Sequence, residues 1–218
     1  MNLVLSDSIK RSMEQHFPNA RFKVLYNAVP TYGRNLYNPD ADAIVFMGRL
    51  GERKGTFDLI KAFSTVASRI DSKYHLALCG DGDIDAARSQ IDELGLSDRI
   101  ACLGWVDSKQ RERILNDAVL NVLPSYNEGL PMSILEAMAH GIPTISTNIA
   151  AIPEVVQSGV SGMLVEPGDI DALGDALTSL LDDADDRKQM SAAAFELIES
   201  TYSLDAHMKQ VKELYRLC

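Results

Sequence analysis

Two glutamates stand eight positions apart in the segment EGLPMSILEAMAHG, where Glu128 precedes an apolar, helix-forming stretch and Glu136 lies within it. Pro131 suits the first turn of that helix, because its missing N–H would be unpaired there. The N–H groups of Gly129 and Leu130, together with the helix dipole, would favour a phosphate. Carboxylates beside such a place make sense if they accept hydrogen bonds from ribose or sugar hydroxyls. The spacing therefore predicts an extended ligand with both kinds of group, as in a nucleotide sugar.

A second group of candidate residues lies in GRLGERKG, directly after a strand-like apolar run. Arg49 offers a planar fork of donors and Lys54 a compact point charge, and both suit a diphosphate. Gly48 is one of the flanking glycines that would let a ligand approach the backbone closely. This segment predicts the positive charge that a phosphate needs beside two carboxylates.

A third candidate is CGDGD, in which Gly80 and Gly82 stand between a strand and a helix. The third glycine of a dinucleotide fingerprint is missing, so this motif alone is weak, although a ligand could still approach both glycines closely. Asp81 and Asp83 form a DxD pair that could suggest a metal. Asp83 is equally placed to cap the following helix, and we predict no metal site.

The alternation of predicted strands and helices along the chain predicts how these loops meet. From residue 43 onward, short apolar runs alternate with longer segments of helical period, which is typical of repeated βα units. We predict an α/β fold with a Rossmann-like, doubly wound sheet of six parallel strands, at 43–47, 74–79, 100–103, 119–123, 143–146 and 162–165. The candidate loops would then share the carboxyl edge of the sheet, where such folds bind ligands.

The helical segments fill the intervals between these strands and the end of the chain. We predict them at 56–70, 84–94, 108–117, 131–140, 152–157, 169–181, 188–200 and 204–217. The first 40 residues are predicted to form a strand, a helix, a strand and a turn-rich linker. The acidic run DDADDR, which begins at Asp182, is expected to be a solvated loop between helices.

Composition excludes several classes of protein. The 218 residues carry a formal net charge of −10 and are 46% hydrophobic, which predicts a globular protein that does not bind nucleic acid. No run approaches the roughly 20 apolar residues of a membrane span, and the opening lacks the apolar core of a signal peptide. Cys79, Cys102 and Cys218 are predicted to be reduced thiols in a cytoplasmic protein.

Trp105, the only tryptophan, could stack on a base, although its residue type favours a packing role. The histidines at 16, 75, 140 and 207 have no suitable partners nearby in sequence, so we expect them to be structural or exposed.

Several segments resemble the donor-binding half of retaining glycosyltransferases with two Rossmann domains, the GT-B enzymes of group 1 or family 4. The matching segments are FMGRLGERKG, LCGDGD, LGWV, PSYNEGLPMSILEAMAHGIPTISTN and GMLVEPGD, which span about residues 43–181. The resemblance implies transfer of a sugar from a UDP-, GDP- or similar donor, with retention of anomeric configuration and without an obligatory metal or other cofactor. It also suggests a place in polysaccharide or glycolipid assembly.

The resemblance also implies roles for individual residues. Arg49 and Lys54 would hold the donor diphosphate, Glu128 would lie by the transferred sugar and Glu136 by the ribose. We therefore expect Arg49, Lys54 and Glu128 to be catalytic. The two cations would stabilise the charge that develops on the leaving diphosphate, and Glu128 would lie by the sugar that is transferred. In this resemblance Gly104, Trp105 and Val106 lie near the base, and the amides of Gly129 and Leu130 meet phosphate. With Glu136, the residues predicted to bind the donor are Gly48, Gly80, Gly82, Gly104, Trp105, Val106, Gly129, Leu130 and Glu136.

Members of this family carry an N-terminal acceptor domain, of which only NLVLSDSIKRSM and KVLYNAVP resemble the tail and the linker. We accordingly assign 1–40 to that tail and linker, 41–185 to the nucleotide-sugar-binding domain and 186–218 to helices that pack toward the missing domain. Positioning both substrates contributes about 7–11 kcal/mol to such catalysis. This chain is therefore expected to bind donor with little or no transfer, and to meet a saccharide or glycolipid acceptor through an N-terminal domain or partner chain.

The closing helix carries an apolar stripe at helical spacing, formed by Leu204, Met208, Val211, Leu214 and Tyr215. The stripe predicts self-association through this helix if nothing covers it. For the full enzyme, a peripheral position at the inner face of the membrane stays open. Two other classes also stay open: a nucleotide-sugar-binding subunit without activity of its own, and an epimerase or phosphorylase built on the same two-domain plan.

Overall fold

The fold is known from a computed structural model that describes residues 1–216. Its centre is a six-stranded, all-parallel sheet, which confirms the predicted fold class. In chain order the eight strands are β1 Asn2–Val4, β2 Phe22–Val24, β3 Ala43–Met47, β4 His75–Cys79, β5 Ile100–Gly104, β6 Ala118–Leu123, β7 Thr144–Thr147 and β8 Gly162–Val165. The large sheet has the order β5-β4-β3-β6-β7-β8, and β1 pairs with β2 in a separate parallel pair.

Helices cover both faces of the large sheet, while α1 packs on the separate β1–β2 pair. The helices of the described residues are α1 Asp7–His16, α2 Thr56–Val66, α3 Ile84–Glu93, α4 Ser108–Asn116, α5 Met132–Ala139, α6 Ile152–Val155, α7 Ile170–Asp182, α8 Ala184–Leu197 and α9 Leu204–Arg216. A 3₁₀ turn at Glu52–Lys54 precedes α2, and a π-helical turn at Ile198–Tyr202 follows α8. None of the helices described in residues 1–216 is long and apolar enough to cross a membrane.

The central strand β3 shows why the sheet needs cover on both sides. All five of its residues are buried. Ile44 and Phe46 belong to one hydrophobic cluster, and Val45 and Met47 belong to a second cluster on the opposite face. Because successive side chains of a strand point to opposite faces, a continuous apolar run of this kind requires helices on both.

The strand order reverses direction between β3 and β6, which are neighbours in the sheet. Chain segments that follow these two strands therefore leave the same edge and diverge, and the gap between them is where open α/β proteins bind ligands. The segment after β3 carries Arg49 and Lys54, and the segment after β6 carries Glu128. The order of the strands in the sheet thus places the predicted cations opposite the first predicted glutamate.

Hydrogen bonds join the first 40 residues to the rest of the chain, both at α1 and along the linker. The Glu154 carboxylate accepts the N–H groups of Asp7, at 3.0 Å, and Ser8, at 2.8 Å, at the start of α1. Farther along, the N–H of Val29 donates to the Tyr202 carbonyl at 2.9 Å. The linker therefore contacts the C-terminal segment, while the domain boundaries given above remain predictions.

The acidic run does not form the expected loop. Asp183 caps α8, and its carboxylate accepts the N–H groups of Asp185, at 3.0 Å, and Asp186, at 2.8 Å. Negative side chains are favourable at this end of a helix because the helix dipole is positive there. Arg187, the last residue of the run, is only 2% exposed. The run is therefore the start of a helix with a buried arginine.

The apolar stripe of α9 is largely uncovered. Leu204 and Met208 are each 49% exposed and Tyr215 is 79% exposed. Self-association through this helix nevertheless stays a prediction. Cys79 and Cys102 are free thiols, as expected, and burial raises the pKa of both. Cys218 and the predicted last residue of the helix, at 217, lie outside the described residues.

Candidate functional site

A cavity of about 260 Å³ opens at the carboxyl edge of β3, β4 and β5 and is closed on one side by α5. Its wall combines loop residues that follow three different strands with side chains from α4 and α5. Six of the residues predicted at the donor site line this cavity, namely Gly48, Arg49, Gly80, Trp105, Val106 and Glu136. The fold thus brings together half of the predicted set in one place.

Gly80 and Gly82 allow two loops to cross in direct backbone contact. A Cβ atom on Gly80 would lie 1.8 Å from the Gly48 carbonyl oxygen, and one on Gly82 would lie 2.3 Å from the Leu50 carbonyl oxygen. The N–H of Gly48 also donates to the Cys79 carbonyl at 2.9 Å. Contact between the loops therefore accounts for both glycines, and the close ligand approach predicted above stays a prediction. Gly82 packs against Leu50 and does not line the cavity.

Arg49 lies at the rim of this cavity. Its Nη1 atom is 3.2 Å from Asp81 Oδ2, and the two side chains are 66% and 61% exposed. An ion pair with this exposure contributes little to stability, so the guanidinium can change partners at small cost. Arg49 also lines a smaller adjoining cavity together with Lys54. It is the residue that connects the two parts of the predicted site.

Lys54, which lines the smaller cavity with Arg49, forms an ion pair with Glu128. The lysine side chain is 16% exposed and the glutamate side chain 8%. Ser125 Oγ donates to the same carboxylate oxygen at 2.8 Å. The sequence identified both charged residues but did not predict that they pair. A phosphate that reached Lys54 would have to compete with Glu128 for the ammonium group.

The segment before α5 presents free backbone donors. Within residues 1–216, the N–H groups of Gly129 and Leu130 have no acceptor. Asn27 Nδ2 donates to the Leu130 carbonyl at 3.3 Å and so orients this segment. Pro131 is the N-cap residue, one position before the first turn in which it was predicted. The donors and the helix dipole keep this segment suited to an anion.

Glu136 faces the cavity from the second turn of α5. Burial raises the pKa of its carboxyl group above the ordinary value, and the neighbouring charges of Arg111 and His140 act against that shift. Arg111 Nη1 lies 3.2 Å from Glu136 Oε1. Arg111 and Ser133 also line the cavity, and neither was assigned a role in the sequence analysis. No local pattern marks Arg111, because its partner stands on another helix.

A polar cluster lies behind Glu136 and reaches the linker. The Nδ1 atom of the buried His140 is 3.0 Å from the Glu136 carbonyl oxygen, and its Nε2 atom is 3.4 Å from Glu112 Oε1. Tyr32 in the linker donates to Glu112 Oε2 at 2.7 Å. His140 is thus buried within the structure, and its contact with Glu112 joins α5 to α4, 28 positions back in the chain.

The loop after β5 leaves its aromatic residue in solvent. Trp105 is 73% exposed, so the packing role favoured by its residue type is wrong. Gly104 has a positive φ of 70°, which turns the chain at this point, and its carbonyl accepts the N–H of Gly80 at 2.8 Å. Val106 and the indole therefore stand at the cavity, while Gly104 supports the loop behind them.

The chemistry of the site is that of polar recognition. Cationic side chains, free amides and two carboxylates lie along one edge of the sheet, beside an exposed aromatic ring. Residues 1–216 hold no group of three histidine, cysteine or acidic side chains arranged for a metal ion. The absence of a metal from the reaction stays a prediction.

Comparison with known proteins assigns a family to the sequence. The sequence model of the family described as "Glycosyl transferases group 1" matches residues 33–197. The chain is 30% identical to the N-acetyl-alpha-D-glucosaminyl L-malate synthase of Bacillus anthracis, over 79% of this chain and 44% of the relative. It is 32% identical to the D-inositol 3-phosphate glycosyltransferase of Corynebacterium glutamicum, over 79% and 42%. The chain spans about half the length of the curated relatives it matches.

Solved structures share the fold over nearly the whole chain. The sucrose-phosphate synthase of Thermosynechococcus elongatus superposes with a TM-score of 0.82 at 22% identity, over 99% of this chain and 57% of that one. HepE of Anabaena, solved in complex with UDP and glucose, has a TM-score of 0.82 at 20% identity, over 100% and 64%. At these identities the likeness establishes the architecture alone.

Proposed function

The chain belongs to the group 1 glycosyltransferases and has the fold of the Rossmann-like C-terminal half of GT-B enzymes, and we propose that it binds a nucleoside diphosphate sugar for retaining glycosyl transfer. The observation that carries this proposal is the cavity in which Arg49, Glu136 and Trp105 meet. A cation, a carboxylate and an exposed ring suit in turn a diphosphate, a ribose and a base.

Each part of the donor has a proposed partner. The base lies against Trp105 and Val106, and the ribose hydroxyls donate to Glu136. Arg49, Lys54 and the amides before α5 bind the diphosphate, and Glu128 accepts hydrogen bonds from the sugar hydroxyls. The Lys54–Glu128 pair is nearly buried, which supports this division. A bound donor could replace the contact between the two side chains with charge-assisted contacts of its own, its phosphate to Lys54 and its sugar hydroxyls to Glu128.

The reaction breaks the bond between C1 of the sugar and the β-phosphate oxygen, and the electron pair stays with the diphosphate. The acceptor hydroxyl oxygen forms the new bond to C1 from the same face, which retains the anomeric configuration. Its proton passes to the departing phosphate oxygen. Arg49, Lys54 and the helix dipole stabilise the charge that grows on the diphosphate, and no metal takes part in this scheme.

We further propose that the acceptor is a saccharide or a glycolipid, held by structure that the longer relatives carry in the rest of their length. Donor binding is then the property that this chain shows by itself. A cytoplasmic location, and a peripheral one at the inner face of the membrane for the full enzyme, are part of the same proposal.

Calorimetric titration of UDP, GDP and ADP in the presence of EDTA tests donor binding. We expect one nucleotide to bind, and Arg49→Ala and Glu136→Ala to weaken it about tenfold or more, since a hydrogen bond to a charged group contributes about 1.5–3 kcal/mol. Arg113→Ala is the matched control, because Arg113 is exposed on α4 away from the cavity. If no nucleotide binds at millimolar concentration, the proposal is wrong.

A further inference from the structure

We propose that Arg111 is a positioning residue that orients the Glu136 carboxylate toward the ribose hydroxyls of the donor. The proposal deepens the donor-binding function and rests on it. Arg111 lies on α4 and Glu136 on α5, so the contact joins two helices at the wall of the cavity. Neither the motif around Glu136 nor its spacing requires this arginine.

The geometry of the contact leaves part of the carboxylate available. Arg111 Nη1 is 3.2 Å from Glu136 Oε1, and within residues 1–216 the Oε2 atom accepts no hydrogen bond. An ionised carboxylate accepts several hydrogen bonds through its two oxygens. One oxygen can therefore be held by the guanidinium while the other receives a hydroxyl.

Partial burial makes a positioning cation useful at this place. The Glu136 side chain is 22% exposed, and a carboxylate that loses water there binds hydroxyls well only if it keeps its charge. Arg111 and His140 supply the charges that oppose the effect of burial on the Glu136 pKa. A carboxylate held in one orientation also loses less rotamer freedom when the donor binds.

The helix α4 is held in place without Arg111, so the proposed role can be told apart from a structural one. Asp107 and Gln110 form a capping box, in which Gln110 N donates to Asp107 Oδ1 at 2.8 Å and Asp107 N donates to Gln110 Oε1 at 2.9 Å. The start of the helix is therefore fixed without Arg111. The Arg111 side chain is 41% exposed, so its removal leaves no cavity in the core.

The test compares a nucleotide with the same nucleotide lacking its ribose hydroxyls. Whichever of UDP, GDP and ADP the protein binds is titrated beside its 2′,3′-dideoxy analogue into Arg111→Ala, Arg111→Lys and the control Arg113→Ala. We expect Arg111→Ala to weaken the ribonucleotide about tenfold and the dideoxy analogue less than about twofold, because the arginine acts through Glu136 on the hydroxyls. Arg111→Lys should restore part of the loss, and Arg113→Ala should change neither affinity.

The outcomes separate this inference from the function on which it rests. If the unmodified protein binds no nucleotide, both are wrong. If it binds one but Arg111→Ala weakens both forms equally, or neither, the positioning role is wrong and donor binding stands. The double variant Arg111→Ala/Glu136→Gln gives a second measure, since a residue that acts through Glu136 should add no further loss to that of Glu136→Gln alone.

Discussion

Lys54 and Glu128, 74 positions apart in the chain, form an ion pair at the point where the order of the strands reverses. Each residue follows one of the two adjacent strands β3 and β6, so the pairing of those strands brings the charges together. With side chains 16% and 8% exposed, the pair is almost out of solvent. A charge so placed is costly when its partner is removed.

Replacing Lys54 with methionine should lower the free energy of unfolding by about 3 kcal/mol, because Glu128 is then left buried without a counter-charge. The double variant Lys54→Met/Glu128→Gln should recover most of the loss. Urea unfolding followed by far-ultraviolet circular dichroism measures both, since the exposed Trp105 is a poor probe of unfolding. Equal stability of the single and double variants would show that the pair is solvated.

The single tryptophan offers a direct measure of base binding. Trp105→Ala should leave the free energy of unfolding within about 0.5 kcal/mol of the original value, because the ring is 73% exposed. It should nevertheless weaken nucleotide binding about tenfold, since stacking of a base on an aromatic ring contributes about 1–3 kcal/mol. In the unmodified protein the nucleotide should quench indole fluorescence, and inorganic pyrophosphate should not. Quenching by both ligands would rule out base stacking as its cause.

The strands could be predicted from the sequence because buried runs leave a plain signal. The bounds of β3 and β8 agree with the prediction, whereas α2 ends at Val66, four residues early. The guanidinium of Arg99 donates to the carbonyl of Ala67 at 3.3 Å and to that of Asp71 at 3.2 Å, and these contacts hold the chain beyond the helix in a turn. Such a contact crosses about thirty positions, so no local pattern announces it.

The site was predictable in its residue types and less so in its contacts. Arg49 and Glu136 could be found because each lies in a loop or helix with strong local marks. Arg111 and His140 could not, since their relation to Glu136 arises only when α4, α5 and the linker pack together. The exposure of Trp105 is a property of the loop's final path, which residue type alone predicted wrongly.

Two glycines with positive φ should differ sharply in their tolerance of a side chain. Gly80→Ala should lower stability by about 4 kcal/mol or prevent folding, because its Cβ would lie 1.8 Å from the Gly48 carbonyl oxygen. Gly104→Ala should cost only about 1–2 kcal/mol, the penalty for a left-handed conformation, since nothing lies within 4 Å of its Cβ. Urea unfolding of both variants measures the contrast. Equal losses would contradict the loop crossing.

The buried Arg187 should be essential to the C-terminal helices. It donates to the carbonyls of Leu180, at 2.5 Å, and Leu181, at 2.8 Å, in the last turn of α7. Arg187→Met should cost about 3 kcal/mol because buried carbonyls lose their donors, and Arg187→Lys should recover only part. Lys188→Met is the control, expected within about 0.5 kcal/mol, since the Lys188 pair with Asp185 is exposed. A thermal or urea unfolding series that ranked the two methionine variants equally would refute this role.

Glu136 should make the protein less stable as its carboxyl group ionises. Its pKa in the folded protein is raised above the ordinary 4.5 by burial, with Arg111 and His140 acting in the opposite direction. The folded state therefore holds the proton more tightly than the unfolded state, and the stability from this difference is present below pH 4.5 and lost as pH rises through the raised value. Glu136→Gln, which cannot ionise, should be more stable than the unmodified protein near neutral pH. Their free energies of unfolding should converge below pH 4.5 in urea titrations.

Arg111 modulates this pH dependence. In an Arg111→Ala background the pH range over which Glu136 lowers stability should extend to higher pH, because one charge that opposes the raised pKa is gone. A stability difference that stayed constant between acid and neutral pH would mean that Glu136 keeps its ordinary pKa despite its position in the cavity wall.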